Sequence, residues 1–149
     1  MILILCFLVV TLIHAQSKNT EDSIKEVIIT FFEGFHKQDT LLIQSLVVEN
    51  AVLHSVIVDA SGETSLKITN FQDFLKSIAA IPKEVIFEEK LYDYKITVNG
   101  VLAAITTPYS FYVNRKVSHC GINIFQLYKH NNQWKITHIT DSRYKENCS

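Results

Sequence analysis

Residues 85–144 alternate apolar and polar side chains, and three residue pairs that favour chain reversal interrupt the alternation: Asn99-Gly100, Asn114-Arg115 or the pair one residue later, and Asn131-Asn132. A period of two belongs to strands, whereas an amphipathic helix repeats every 3.6 residues. Asn-Gly is the strongest short hairpin signal, because a type I′ turn needs positive φ at both central positions. The stretch therefore predicts an antiparallel meander with strands over 85–98 and 101–113, then one containing SHCGINIFQL (118–127), and a last one over 133–144.

Ahead of the meander the period is helical. Ile24, Val27, Ile28, Phe31, Phe32 and Phe35 form one apolar stripe, with Thr20 as the expected N-cap and Glu21 and Asp22 at the positive end of the helix dipole. The phenylalanines read as core, and Gly34 as a close approach to the sheet. A second short helix follows a break at Gln38-Asp39-Thr40, capped by Asp39 or Thr40. Residues 51–58 are β-branched and predict a strand, and Ser61-Gly62 a turn. Asn70 opens a third helix, which Pro82 stops. Three N-terminal helices on one side of a strongly curved antiparallel sheet make an α+β, cone-shaped fold. Its covered face becomes a pocket wherever the helices do not fill it.

With 149 residues, 48% hydrophobic and 19% charged, the chain suits one soluble domain. A net charge of -1 without any Lys/Arg block excludes the electrostatic footprint that nucleic acid requires. Residues 1–15, MILILCFLVVTLIHA, form an apolar run that ends before polar Gln16-Ser17-Lys18-Asn19, the outline of a secretory signal peptide without a basic n-region. The run is shorter than the roughly 20 residues of a membrane span. The expectation is an exported protein, periplasmic or secreted, with 16–149 as its single domain and no stable membrane span. Cys6 leaves with the leader. Cys120 and Cys148 remain, and an oxidising compartment permits a bridge between them without requiring one.

If the last hairpin turns on Asn131 and Asn132, Leu127 lies opposite Ile136, Phe125 opposite His138, Asn123 opposite Thr140 and His119 opposite Tyr144. These share one face. The other carries Cys120, Ile122, Ile124, Ile139 and Asp141, apolar enough to be expected as a homodimer contact. Pro108 cannot donate a ladder hydrogen bond, and a bulge there flips the parity. Either Tyr109 and Phe111 or Ser110 and Tyr112 therefore face His119. His119 stands out beside Gly121, whose missing side chain admits a ligand or another backbone, and Asn123, Phe125, Tyr109 and His54 complete the candidate pocket. His138 reads as structural or partly exposed. Asp141 and Arg143, two apart on a strand, share a face and pair with each other or with water, and only a bulge after Ile136 brings Asp141 round to orient His119 as a general base. Cys120 reads as an inert buried thiol. The chain has no G-x-S-x-G elbow, P-loop or G-x-G-x-x-G, and no His/Cys cluster at metal-ligand spacing, so neither cofactor nor metal is expected.

The segment PYSFYVNRKVSHCGINIFQLYKHNNQWKITHITDSR resembles the C-terminal sheet of bacterial nuclear transport factor two-like proteins, close to the SnoaL-like and lumazine-binding-like branches. IKEVIITFFEGFHKQDTLLIQSL resembles that superfamily's first two helices. The resemblance implies a cystatin-like cone with a ligand cavity between sheet and helices, often in a homodimer, and places His119, Asn123 and Tyr109 at the cavity by position. It does not imply one activity, because the superfamily hosts isomerases, dehydratases, cyclases and binding proteins. Ketosteroid isomerase relatives use an acidic base with a Tyr and a protonated Asp. No such pair of inward acids is legible here. The leading expectation is an exported binder of a small, partly apolar molecule. The alternative is a cofactor-free isomerase, dehydratase or cyclase in which His119 moves a proton, Tyr109 stabilises an oxyanion and Asp141 orients the imidazole. A third is a structural domain whose cone is filled by its own phenylalanines.

Overall fold

A computed structural model describes residues 2–145 and Cys148, with side chains from Thr20 onward, so the side chains of the expected leader, residues 1–15, lie outside it. The elements are α1 (Ile2–Lys37), α2 (Thr40–Leu46), β1 (Val47–Val58), β2 (Thr64–Asn70), α3 (Phe71–Ala79), β3 (Phe87–Leu91), β4 (Lys95–Asn99), β5 (Leu102–Val113), β6 (Lys116–His130) and β7 (Gln133–Arg143). Among the described residues, no helix is long and apolar enough to cross a membrane.

The stripe on α1 behaves as its spacing predicts: Ile24, Ile28, Phe31 and Phe32 are buried in the core. Thr20 is not an N-cap. The helix runs through it, and Ser23 Oγ donates to its carbonyl. Gly34 makes its close approach to α2 rather than to the sheet, since a Cβ there would lie 3.0 Å from Ile43 Cγ1. Asp39 caps α2 by accepting from Leu42 N, and Asn70 caps α3 by accepting from Gln72 N. Gln38, at a φ of 55°, donates from Nε2 to the carbonyls of Ile78 and Ile81, which ties the end of α1 to the end of α3.

Seven strands form one sheet in the order β2-β1-β7-β6-β5-β3, with β4 also pairing β5. It is mixed rather than wholly antiparallel, because β1 and β7 run parallel. No hairpin joins the first strand to the last, so nothing imposes antiparallel pairing on them. Nor do all three helices precede the sheet: α3 follows β1 and β2. Residues 64–70, for which no strand was expected, form β2 as a largely exposed edge strand on which Leu66 and Ile68 alternate with polar residues and face solvent. The stretch 85–98 divides at residues 92–94 into β3 and β4, both paired with β5.

Two of the three predicted turns sit where the sequence puts them. Asn114 and Arg115, and Asn131 and Asn132, all have positive φ. At the first hairpin Asn99 pairs with Leu102, so Gly100 and Val101 are the central residues and only Gly100, at 60°, has positive φ. That is the II′ pattern, one residue later than expected.

Candidate functional site

The helices do not fill the cone. A cavity of about 320 Å³ lies between them and the concave face of the sheet, near the lower end of the range for small-molecule sites. One end is aromatic. Phe31 and Phe35 of α1 each stack on Phe74 of α3, with centroids 6.3 Å and 6.2 Å apart, and Phe125 packs edge-on to Phe31.

The other end is polar, and two strand irregularities create it. β6 and β7 pair as the turn dictates from His130↔Gln133 to Leu127↔Ile136, after which Gln126 pairs with His138. Thr137 is the extra residue, its Oγ1 donating to Gln126 O. A bulge flips every side chain beyond it. Ile139, Asp141 and Arg143 therefore face the cavity, and Asp141 pairs with Asn123. On β6 a second shift makes Ser118 the extra residue and sets His119 opposite Phe111. Pairing runs unbroken through Pro108, so Tyr109 and Phe111, not Ser110 and Tyr112, share the face of His119.

Asp141 sits at the centre of this end. Its Oδ1 accepts from Ser55 Oγ at 2.6 Å, and its Oδ2 accepts from Arg143 Nε at 2.6 Å and from Tyr109 OH at 3.3 Å. Arg143 Nη2 also donates to Ser55 Oγ at 2.9 Å, and Tyr109 OH donates to Ser142 O at 3.0 Å. Beside this cluster, Asn123 Nδ2 donates to Glu89 Oε1 at 2.7 Å, and the Glu89 backbone N–H donates to His36 Nε2 on α1. Burial, reinforced by the charge of Asp141, pushes the Glu89 carboxyl up to about 7 against the opposing effects of Asn123 and Arg143. Burial, then Arg143, pushes the His119 imidazole down to about 4. The Tyr109 hydroxyl is held well above its ordinary value by burial and by the two carboxyls, so it serves as a donor. At neutral pH, Glu89 is the group poised to exchange a proton.

Tyr109, His119, Asn123 and Phe125 line this cavity, and Asp141 joins them through the bulge. His54 does not. It sits on the opposite face, its Nδ1 bonded to His138 Nε2, because the buried alternation of β1 turns Leu53 and Ser55 inward. Ile139 and Asp141 leave the predicted outer face for the same reason that Asp141 reaches the site. Among the described residues no hydrogen bond joins Asp141 to His119; Ser55, Tyr109 and Arg143 occupy the carboxylate instead. A pair of inward acids, absent from the sequence reading, is present as Glu89 and Asp141. Glu89 was findable, since it shares strand parity with Phe87 and Leu91. Gly121 admits the backbone of Ser142, whose carbonyl lies where a Cβ would sit. Cys120 and Cys148 form a disulfide, so Cys120 is not a free thiol. Among the described residues no group of three or more His, Cys, Asp or Glu side chains is placed to hold a metal ion.

No family model and no curated protein matches the chain in sequence. Solved structures match its fold. A Nostoc punctiforme protein of unknown function with a cystatin-like fold has 14% identity and a TM-score of 0.65, over 85% of this chain and 92% of that one. A nuclear transport factor two-like protein of unknown function from Shewanella baltica has 17% identity and a TM-score of 0.61, over 85% and 94%. A candidate dehydratase of the same family from Streptomyces avermitilis has 15% identity and a TM-score of 0.62, over 85% and 98%.

Proposed function

With its nuclear transport factor two-like fold as the starting point, we propose that this chain is an exported protein that binds a small, mostly apolar molecule inside the cone. The observation that carries this reading is the division of one cavity into a phenylalanine-lined end and an end with a hydrogen-bonded cluster. Apolar burial supplies affinity at the first, and a few fixed polar groups set orientation at the second. His119, Tyr109 and Asn123 fix the polar edge, with Glu89 beside them. We expect a homodimer through the outer face of the sheet, where Ile122 and Ile124 are 44% and 42% exposed. Native mass spectrometry of the full chain, compared with the denatured mass, tests for a bound ligand. A small co-purifying mass is expected. His119→Ala and Tyr109→Phe should weaken its hold, and unchanged affinity and thermal shift in both variants would move the site elsewhere.

A second reading, a cofactor-free isomerase, dehydratase or cyclase, is favoured by the pairing of Glu89 and Asp141 in unlike surroundings. Glu89 lies near half-ionisation at neutral pH, where a general acid or base works best, while Asp141 is held by Arg143 and Ser55. Glu89 takes over the proton transfer that the sequence assigned to His119, and Tyr109 and Arg143 are the donors facing developing negative charge. The fold match to a candidate dehydratase is consistent with this reading. Turnover that tracks the ionisation of Glu89 and vanishes in Glu89→Gln would support it.

A further inference from the structure

Away from the cavity, the outer face of the sheet carries two imidazoles in direct contact. His54 on β1 and His138 on β7 stand on neighbouring parallel strands, with His138 Nε2 3.1 Å from His54 Nδ1 and ring centroids 4.5 Å apart. The bulge at Thr137 that sends Asp141 inward is also what turns His138 outward to meet His54. Both rings are half-buried and rise from the middle of strands rather than from loops, so their spacing is set by the sheet.

We propose that His54 and His138 form a two-nitrogen chelate for a divalent transition-metal ion of the class Ni²⁺, Cu²⁺ or Zn²⁺. Imidazole nitrogens bind such ions at about 2.05 Å, and two of them 3.1 Å apart then subtend about 98° at the metal, between the square or octahedral angle and the tetrahedral one. Water fills the remaining positions on this face. The residues in register with the pair are Val52 on β1, Ile68 on β2, Gln126 on β6 and Thr140 on β7, none of them charged. No carboxylate among them competes with a metal ion for the imidazoles. The proton now shared between the facing nitrogens moves to the far nitrogen of its own ring, leaving two lone pairs for the metal and releasing no net proton. A set whose protein donors are two imidazole nitrogens with no carboxylate selects against Mg²⁺ and Ca²⁺.

Calorimetric titration of the full chain with Ni²⁺, Zn²⁺ and Mg²⁺ at neutral pH tests the assignment. One saturable equivalent of Ni²⁺ and of Zn²⁺ is expected, with no Mg²⁺ binding. His54→Gln and His138→Gln should each weaken binding roughly a hundredfold, because the second nitrogen acts at a high effective concentration. In the unaltered protein, paramagnetic Ni²⁺ should broaden the ring resonances of His54 and His138 before those of His36, His119 and His130, a readout that does not depend on the variants folding. Unchanged affinity in folded variants, broadening that starts elsewhere, or no saturable binding would each overturn the chelate.

Discussion

Asn123 Nδ2 donates to Glu89 Oε1 across 2.7 Å, and that bond joins the β6 strand of the sheet to β3 at its end. Asn123 is 4% exposed and pairs in register with Asp141, so one amide stands between the two carboxyls of the cavity. The arrangement keeps two acids in one small space without forcing both to ionise.

Glu89→Gln reports on that arrangement through pH. The Glu89 carboxyl titrates near 7 in the fold and near 4.5 when unfolded, so the folded state holds its proton more tightly. Stability falls as pH rises from 4.5 through 7, then levels off, with a total of up to ~3 kcal/mol from this group. In Glu89→Gln, whose amide oxygen still accepts from Asn123, that component disappears and the protein is more stable than wild type at pH 8. Urea unfolding midpoints at pH 5, 6, 7 and 8 measure the difference.

Arg143→Met tests how one cation sets the other groups. Arg143 pulls both His119 and Glu89 downward, so its loss should raise both titrations, His119 back towards 6.5 and Glu89 above 7. The Asp141 side chain is 13% exposed and loses its cation while keeping Ser55 and Tyr109 as donors, at a cost of about 1–3 kcal/mol. Proton and carbon NMR titrations read the first effect, and thermal unfolding reads the second.

Gly121→Ala should be among the most damaging single-methyl additions in the chain. A Cβ there would overlap the Ser142 carbonyl oxygen, a backbone atom that cannot swing aside. A loss of at least ~2 kcal/mol is expected, with displacement of Arg143 from its place beside Asp141. Thermal unfolding gives the loss, and the His119 titration, which senses Arg143, gives the displacement.

Cys148→Ser opens a disulfide that spans 28 residues and closes onto the strand next to His119. The loop-closure account predicts a loss of roughly 3–4 kcal/mol. Cys120 and Tyr144 exchange two backbone hydrogen bonds immediately beyond Arg143, so the polar end should loosen before the aromatic end. Hydrogen exchange with and without reductant locates the change.

The helical stripe, the caps at Asp39 and Asn70 and the turns at Asn114-Arg115 and Asn131-Asn132 were legible because each depends on neighbours close in sequence. The bulge at Thr137 was not. Nothing in its local composition marks it: a Thr between Ile136 and His138 fits a regular strand equally well, and what selects the extra residue is packing of Ile139 against the core and pairing of Asp141 with Ser55 on a strand distant in sequence. The sequence named this bulge as the only route that would bring Asp141 inward without any means of choosing it. Glu89 was missed for a different reason. A carboxyl on the apolar parity of a strand reads as an exception until its partner, Asn123, is seen 34 residues away.

Thr137 also decides what kind of chemistry the cone contains. Flattening the bulge with the residue kept, so that Thr137 rather than His138 paired with Gln126, would exchange the two faces of the strand beyond it, sending His138 and Thr140 in and Asp141 and Arg143 out, although Thr137 itself touches neither carboxyl. The cavity would lose one carboxyl and its guanidinium and gain a second imidazole besides His119, with every lining position on the other strands unaltered. A one-residue shift of register in one strand is thus a shorter route to new chemistry here than any substitution within the cavity.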